Sequence, residues 1–147
     1  MARVLVVDDD PDIQELLVIV LIEHTVTTAE SGAEALELIA HHHYDLLIVD
    51  AMMPDLDGYT LVRRVRNRSP IADVPVIMVT ARSAEADHLR GFEEGVDAYI
   101  TKPFDPESLI AVATQVLSRP PEERARIRNE EAARARLFGT IERRFGG

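Results

Sequence analysis

The sequence predicts an α/β fold, a doubly wound five-stranded parallel sheet with an additional C-terminal helix. Short runs of β-branched and aliphatic residues alternate with longer segments of helical period. Three of the short runs are continuously apolar, as expected of parallel strands that helices cover on both faces. Residues typical of helix starts and stops separate the two kinds of segment. Five strand–helix units in succession therefore imply an open parallel sheet.

Each element follows from its own pattern. The predicted strands are Arg3–Val7, Val26–Ala29, Leu46–Val49, Val76–Val79 and Ala98–Ile100. The predicted helices are Asp12–Glu23, Ala33–His42, Tyr59–Asn67, Ala84–Glu94, Pro106–Ser118 and a sixth over residues 122–145. Ser31 and Glu34 form a capping box before the second helix, and Asp105 stands as a cap before Pro106. Gly95 is typical of a helix stop after the fourth helix.

Length and composition exclude several classes of protein. The 147 residues fit one domain of ordinary size with a short appendage, and 46% of them are hydrophobic, enough for a core. No stretch approaches the roughly 20 apolar residues that cross a bilayer, and the first residues do not form a signal peptide. The absence of cysteine excludes disulfides and thiolate metal sites. We expect a cytoplasmic protein that does not bind membranes.

Charge is distributed unevenly around a net value of −10. Residues 1–118 carry 8 basic and 21 acidic side chains, whereas residues 119–147 carry 8 arginines and 5 glutamates. The acidic body argues against direct nucleic-acid binding, because that binding depends on cations that contact phosphates. Lys102 is the only lysine among 16 basic residues. Because a compact ammonium and a planar guanidinium differ in geometry and hydration, the single lysine suggests a chemical role, with chance placement as the alternative.

Polar residues stand at the ends of four predicted strands. They are Asp8, Asp9 and Asp10 after the first, Asp50 after the third, Thr80 after the fourth and Lys102 after the fifth. Parallel sheets bind ligands beyond the carboxyl ends of their strands. Carboxylates held close together repel one another unless a cation shares the site, and oxygen ligands suit Mg²⁺. An aspartate nucleophile surrounded by positive charge suits phosphoryl transfer to a carboxylate.

Four segments carry a resemblance to a known family. VLVVDDDPDI, LLIVDAMMPDLDGY, VPVIMVTA and GVDAYITKPF resemble, in order, the receiver domain of two-component response regulators. The spacings of 30 residues from Asp50 to Thr80 and 52 from Asp50 to Lys102 are also similar to the family's. The resemblance implies a flavodoxin-like (βα)5 fold, with a receiver domain over 1–118 and a helical tail or linker over 119–147.

The resemblance also implies roles for the acidic residues. Asp50 would accept phosphate from a histidine of a sensor histidine kinase or phosphotransfer protein, in phosphorelay signal transduction. Mg²⁺ or Mn²⁺ would be bound by the carboxylates of Asp9 and Asp50, by the backbone carbonyl of Met52, and by Asp8 through water. The chain would thus be a signalling module that catalyses its own phosphorylation and dephosphorylation, not a conventional enzyme.

Further residues receive implied roles in the same way. Thr80 and Tyr99 would form a switch pair that alters the face made by the fourth helix, fifth strand and fifth helix. Lys102 would contact the phosphoryl group, and the peptide bond before Pro103 would be cis. Met52 and Arg82 would modulate the lifetime of the phosphoryl group.

Some features have plainer interpretations or depart from the family pattern. Asp10 is interpreted as a cap of the first helix, with Pro11 at its start, and three consecutive histidines at 41–43 are typical of a solvated helix end. The connection Ile22–Thr25 is short, so the first helix ends early or the second strand is displaced. Val112 and Thr114 occupy positions that are basic in many DNA-binding regulators, which puts the usual charged dimer in doubt.

The sequence leaves open the function of the tail and two alternative functions for the chain as a whole. The tail is a partner-binding or dimerising helix, the start of a linker, or a solvated helix; a homodimer through it or through the fourth helix–fifth strand–fifth helix face is one option. A degenerate receiver that binds constitutively is a second reading. An aspartyl-phosphate-type phosphatase is a third, since Asp8 and Asp10 have its spacing, although it leaves Asp50 unexplained.

Overall fold

A computed structural model describes residues 1–68, 71–81 and 91–145 of the chain. Its strands are β1 (Arg3–Val7), β2 (Thr25–Ala29), β3 (Leu46–Asp50), β4 (Val76–Thr80) and β5 (Ala98–Thr101). Its helices are α1 (Pro11–Val20), α2 (Gly32–His41), α3 (Gly58–Arg66), a penultimate helix (Pro106–Ser118) and a C-terminal helix (Pro121–Phe145). The predicted fourth helix falls largely on residues 82–90, outside the described residues.

All strands are parallel, in the order β2-β1-β3-β4-β5. The predicted fold class is therefore confirmed. Alternate residues of the buried strands face two apolar clusters. Leu5 and Val7 of β1 belong to the cluster under α2 and α3, whereas Val4 and Val6 belong to the cluster under α1 and the penultimate helix. The chain order reverses between β1 and β3, and this switch point is where such sheets bind ligands.

Helix boundaries follow the capping chemistry, with two corrections. Asp10 caps α1, its side chain accepting from the Asp12 N–H, and Ser31 caps α2. Asp105 occupies the cap position of the penultimate helix but makes no capping hydrogen bond; its carboxylate accepts from the Ser108 hydroxyl. The second correction concerns α2, whose start receives a further acceptor: Asp55, in the loop before α3, accepts from the backbone N–H groups of Gly32 and Ala33.

The connection between α1 and β2 is accommodated because α1 ends early. The sequence predicted a helix to Glu23, but α1 ends at Val20, and a turn with a hydrogen bond from His24 N–H to the Leu21 carbonyl follows. This leaves β2 in register with β1, with Thr25 opposite Arg3. The second strand is therefore not displaced.

The C-terminal helix packs against the segments that precede β4 and β5. Arg128, in its first third, is buried and its guanidinium lies 3.0 Å from Asp97 and 3.3 Å from Asp73. Asp97 and Asp73 precede β5 and β4, so the contact is at the amino edge of the sheet, opposite the strand ends that carry the acidic residues. No helix in the described part of the chain is long and apolar enough to cross a membrane.

Asp97 is shared between two arginines. Its second oxygen lies 2.9 Å from Arg66 of α3 and also accepts from the Val76 N–H. Arg66 donates further to the carbonyls of Ala72, Val74 and Gly95. Burial lowers the pKa of Arg66 to about 10, against the opposing effect of Asp97, so this guanidinium stays charged at neutral pH.

We expect Arg128→Met to loosen the C-terminal helix. Loss of the Arg128 guanidinium removes two ion pairs, while Arg66 still compensates the charge of Asp97. The free energy of unfolding should therefore fall by about 1–3 kcal/mol. Hydrogen exchange at residues 124–136 should accelerate. Arg126→Met is the matched control, because Arg126 is exposed on the same helix. Equal protection in the two variants would show that the Arg128 pairs do not hold the helix.

Candidate functional site

The site begins with β1 and β3, which end side by side at the switch point. β1 delivers Asp8 and Asp9, and β3 ends at Asp50. One carboxylate oxygen from each of these three residues lies within 4.8 Å of the others. Asp8 and Asp50 are buried, whereas Asp9 is exposed. The predicted acidic cluster is therefore assembled as the strand order required.

Lys102 places its ammonium against this cluster. Nζ lies 3.0 Å from Asp8 Oδ2 and 3.7 Å from Asp50 Oδ2. The position follows from β5, because the Lys102 N–H donates to the Thr80 carbonyl, 2.7 Å away at the end of β4. The peptide bond between Lys102 and Pro103 is cis, as the resemblance implied. One ammonium beside three carboxylates leaves the cluster with excess negative charge.

The pKa of Asp50 is raised by its surroundings. Burial raises the pKa of Asp50, and the neighbouring charges of Asp8 and Asp9 add to the increase. The Met52 N–H, which donates to Asp50 Oδ1 at 3.2 Å, and the Lys102 ammonium oppose it. Because the pKa is raised, the ionised form of Asp50 is less favourable in the folded state than in the unfolded chain. A divalent cation bound by carboxylate oxygens would remove this penalty, and the three residues fit such an ion.

Backbone contacts fix the carboxylates. The Asp10 N–H donates to Asp8 Oδ1 at 2.9 Å, and the Asp8 N–H donates to the Ala29 carbonyl. Gly58 at the start of α3 lies so close to Asp50 that a Cβ atom there would stand 2.4 Å from the Asp50 carbonyl oxygen. The loop after β3 can return this closely only with glycine at position 58, a role that the sequence analysis did not assign.

Of the other predicted site residues, Thr80 and Met52 lie at the same edge of the sheet as the acidic cluster, whereas Tyr99 packs against the core. Thr80 is fully buried at the end of β4, and the Met52 side chain is half exposed beside the cluster. Tyr99 packs against the core on the side of α2 and α3, with its ring 5.4 Å from that of Phe92 in an edge-to-face arrangement. Its hydroxyl occupies the space where a Cβ at Gly91 would stand. Arg82 lies outside the described residues.

Among the described residues, the histidines at 41–43 and the penultimate helix contribute no ligand to the acidic cluster. His41 and His43 pair with Glu37 and Asp45 at exposed positions. On the penultimate helix, Val112 packs partly against the core and Thr114 is exposed. The contacts that the sequence analysis missed are those of Asp97, Arg66 and Arg128. Asp97 lies two residues before Tyr99 in a recognised segment, but no local signal shows that three remote groups share its carboxylate.

Comparisons with known proteins agree on one family. The family model of the response regulator receiver domain matches residues 4–114. The DNA-binding dual master transcriptional regulator RpaA of Synechocystis is 39% identical over 121 residues, covering 81% of this chain and 50% of its own length. Response regulator Rre1 of the same organism is 36% identical over 118 residues, 78% of this chain and 51% of that protein. The chain thus spans about half the length of these relatives.

Solved structures give the same result. The crystal structure of a putative response regulator from Chloroflexus aurantiacus is 38% identical with a TM-score of 0.77, covering 80% of this chain and 98% of that one. The chemotaxis protein CheY4 of Vibrio cholerae is 32% identical with a TM-score of 0.76, covering 79% and 98%. These similarities indicate more than a shared fold, because sequence and structure match over the same four-fifths of the chain.

We expect Asp50→Asn to stabilise the metal-free protein at neutral pH. The amide oxygen still accepts from the Met52 N–H, while the unfavourable buried charge is gone. The free energy of unfolding in urea and a chelator should rise by an amount on the order of 1 kcal/mol.

Asp45→Asn is the control of opposite sign. The Arg3 N–H donates to Asp45 at 2.8 Å and lowers the pKa of that carboxyl, so its ionised form contributes stability that is lost as pH falls through the folded-state pKa. Its replacement should lower the free energy of unfolding. A loss of stability in both variants would show that the charge of Asp50 is not a burden to the fold.

Proposed function

The chain belongs to the response regulator receiver domain family, and we propose that its Asp50 carboxylate accepts the phosphoryl group. The observation that supports this most is the placement of Asp50 beside Lys102, Asp8 and Asp9 at the switch point of the sheet. Receiver domains of response regulators generally partner with histidine kinases. We infer that a phosphohistidine of a sensor kinase or phosphotransfer protein is the donor to this chain.

The reaction forms one bond and breaks one. An oxygen of the ionised Asp50 carboxylate bonds to phosphorus, the phosphorus–nitrogen bond of the donor breaks, and the electron pair stays with the imidazole nitrogen, which is then protonated. Asp50 must be ionised to act as nucleophile. The Lys102 ammonium, 3.7 Å from Asp50 Oδ2, is placed to compensate charge on the transferred group.

The metal and the switch complete the proposal. Asp8, Asp9 and Asp50, with the Met52 carbonyl, would hold Mg²⁺ or Mn²⁺, which when bound supplies positive charge to the phosphoryl oxygens. Thr80, buried at the end of β4, and Tyr99 on β5 would form the switch pair. We further propose that residues 1–118 form the receiver unit and 119–147 a tail outside it. Arg82 and Met52 are proposed to modulate phosphoryl lifetime.

The function is tested by incubating the chain with a small acyl-phosphate donor. Intact-mass analysis should find one added phosphoryl group on the wild type with Mg²⁺, and none with a chelator or on Asp50→Ala. Asp55→Ala is the matched control, because Asp55 is an exposed carboxylate that caps α2, and this variant should be phosphorylated like the wild type.

Two other results would contradict the proposal. Label that persists in Asp50→Ala but is lost in Asp8→Ala would favour an aspartyl-phosphate-type phosphatase. No label on the folded wild type with Mg²⁺ at any donor concentration would indicate a degenerate receiver that binds constitutively.

A further inference from the structure

The C-terminal helix consists of a docked part and an exposed tip. Arg128 and Ala135 in its first part are buried. Beyond them Leu137 is 60% exposed, and Phe138 and Ile141 are each 45% exposed. At 1.5 Å per residue, Ile141 lies about 20 Å along the helix from Arg128. The ion pairs of Arg128, of which the one with Asp97 is buried, therefore hold a helix whose last turns present apolar side chains to solvent.

The tip has a regular pattern of charge and apolarity. Arg134, Leu137, Phe138 and Ile141 follow the spacing i, i+3, i+4, i+7, which places them on one face of the helix. Arg144 continues that face at its end and is exposed. The apolar residues of the tip are thus flanked by arginine on both sides. Arg134 contacts Glu131 at 2.8 Å, but an exposed pair of this kind is weak and can be exchanged for another.

Helix α1 presents the complementary pattern. Asp12, Glu15, Leu16 and Ile19 have the same i, i+3, i+4, i+7 spacing, and all four are exposed. Ile19 is 62% exposed, and Ile22 just after the helix is 80% exposed. Glu23 follows it and is also exposed. An apolar face on α1 is therefore flanked by carboxylates on both sides.

We propose that the tip of the C-terminal helix docks on α1 of a second copy of this chain. In an antiparallel arrangement Arg144 faces Asp12 and Glu15, the apolar residues of the two helices meet, and Arg134 faces Glu23. Two tips facing each other would instead bring arginines together, which opposes tip–tip pairing. Each copy has one tip and one α1 face, so in the dimer that we propose a two-fold axis makes the contact twice.

The proposed contact uses the outer face of α1, which begins directly after Asp8, Asp9 and Asp10, and it does not require phosphorylation of Asp50. Two contacts of a few helical turns each are at the small end of specific interfaces, so we expect a dissociation constant of roughly 10–100 µM. Because opposite charges flank the apolar residues, raising NaCl from about 50 mM to about 500 mM should weaken the dimer roughly threefold or more. Tip–tip pairing would be strengthened by the same change.

Sedimentation velocity on the full chain tests the proposal. The wild type should dimerise with rising concentration, whereas Phe138→Ser and Ile19→Ser should each stay monomeric. Ile110→Ser is the matched control, because Ile110 is 43% exposed on the penultimate helix, and it should dimerise like the wild type. Circular dichroism verifies that each variant is folded. A wild type that is monomeric at millimolar concentration, or a dimer that survives Ile19→Ser, would overturn the proposal.

Cross-linking locates the contact, since the chain has no cysteine of its own. A mixture of Phe138→Cys and Ile19→Cys should form the mixed disulfide under mild oxidation, because the two Cα atoms need to approach within about 7 Å. Phe138→Cys mixed with Ile110→Cys should not. Preferential pairing of Phe138→Cys with itself, or an intramolecular disulfide in a monomeric F138C/I19C variant, would contradict docking between copies.

Discussion

Mutual repulsion among Asp8, Asp9 and Asp50 is the constraint on which the carboxyl edge of the sheet depends. Carboxylate oxygens within 4.8 Å of one another are tolerated only where positive charge and N–H donors compensate them. The strands deliver this compensation, because β5 brings the Lys102 ammonium within 3.0 Å of Asp8 and the loop after β3 aims the Met52 N–H at Asp50. The remaining excess negative charge favours binding of a cation, and in the proposed function Asp50 would be the nucleophile that attacks phosphorus.

The amino edge of the sheet differs from the carboxyl edge in how its buried charge is compensated. There a single buried carboxylate, Asp97, is matched by two guanidinium groups and a backbone N–H, so its charge is compensated within the fold. Arg66 joins α3 to the segments before β4 and β5, and Arg128 adds the C-terminal helix to the same network. The tail is therefore oriented by the domain, and its exposed tip is presented in a defined direction. One edge gathers the acidic cluster and Lys102, and the other orients the C-terminal helix.

Sequence patterns predicted most of this arrangement. The five strands, the placement of Asp50 and Lys102 at one edge, and the cap at Asp10 all follow from local periodicity and from the geometry of parallel sheets. The early end of α1 was one of two alternatives that the short connection left open. The capping of α2 by Asp55 was not predicted, because a donor 22 residues away decides it. The network at Asp97 also escaped, since burial of a charge depends on partners brought together only by tertiary packing.

Asp50, and no neighbouring carboxylate, is the residue that we propose becomes an acyl phosphate. Treating the phosphorylated chain with borohydride reduces an acyl phosphate to an alcohol, so a phosphorylated aspartate becomes homoserine, which tandem mass spectrometry locates. The account predicts homoserine at position 50 alone, and only after treatment with donor and Mg²⁺. Homoserine at position 8, 9 or 10, or its absence from a chain that carries the added phosphoryl mass, would contradict it.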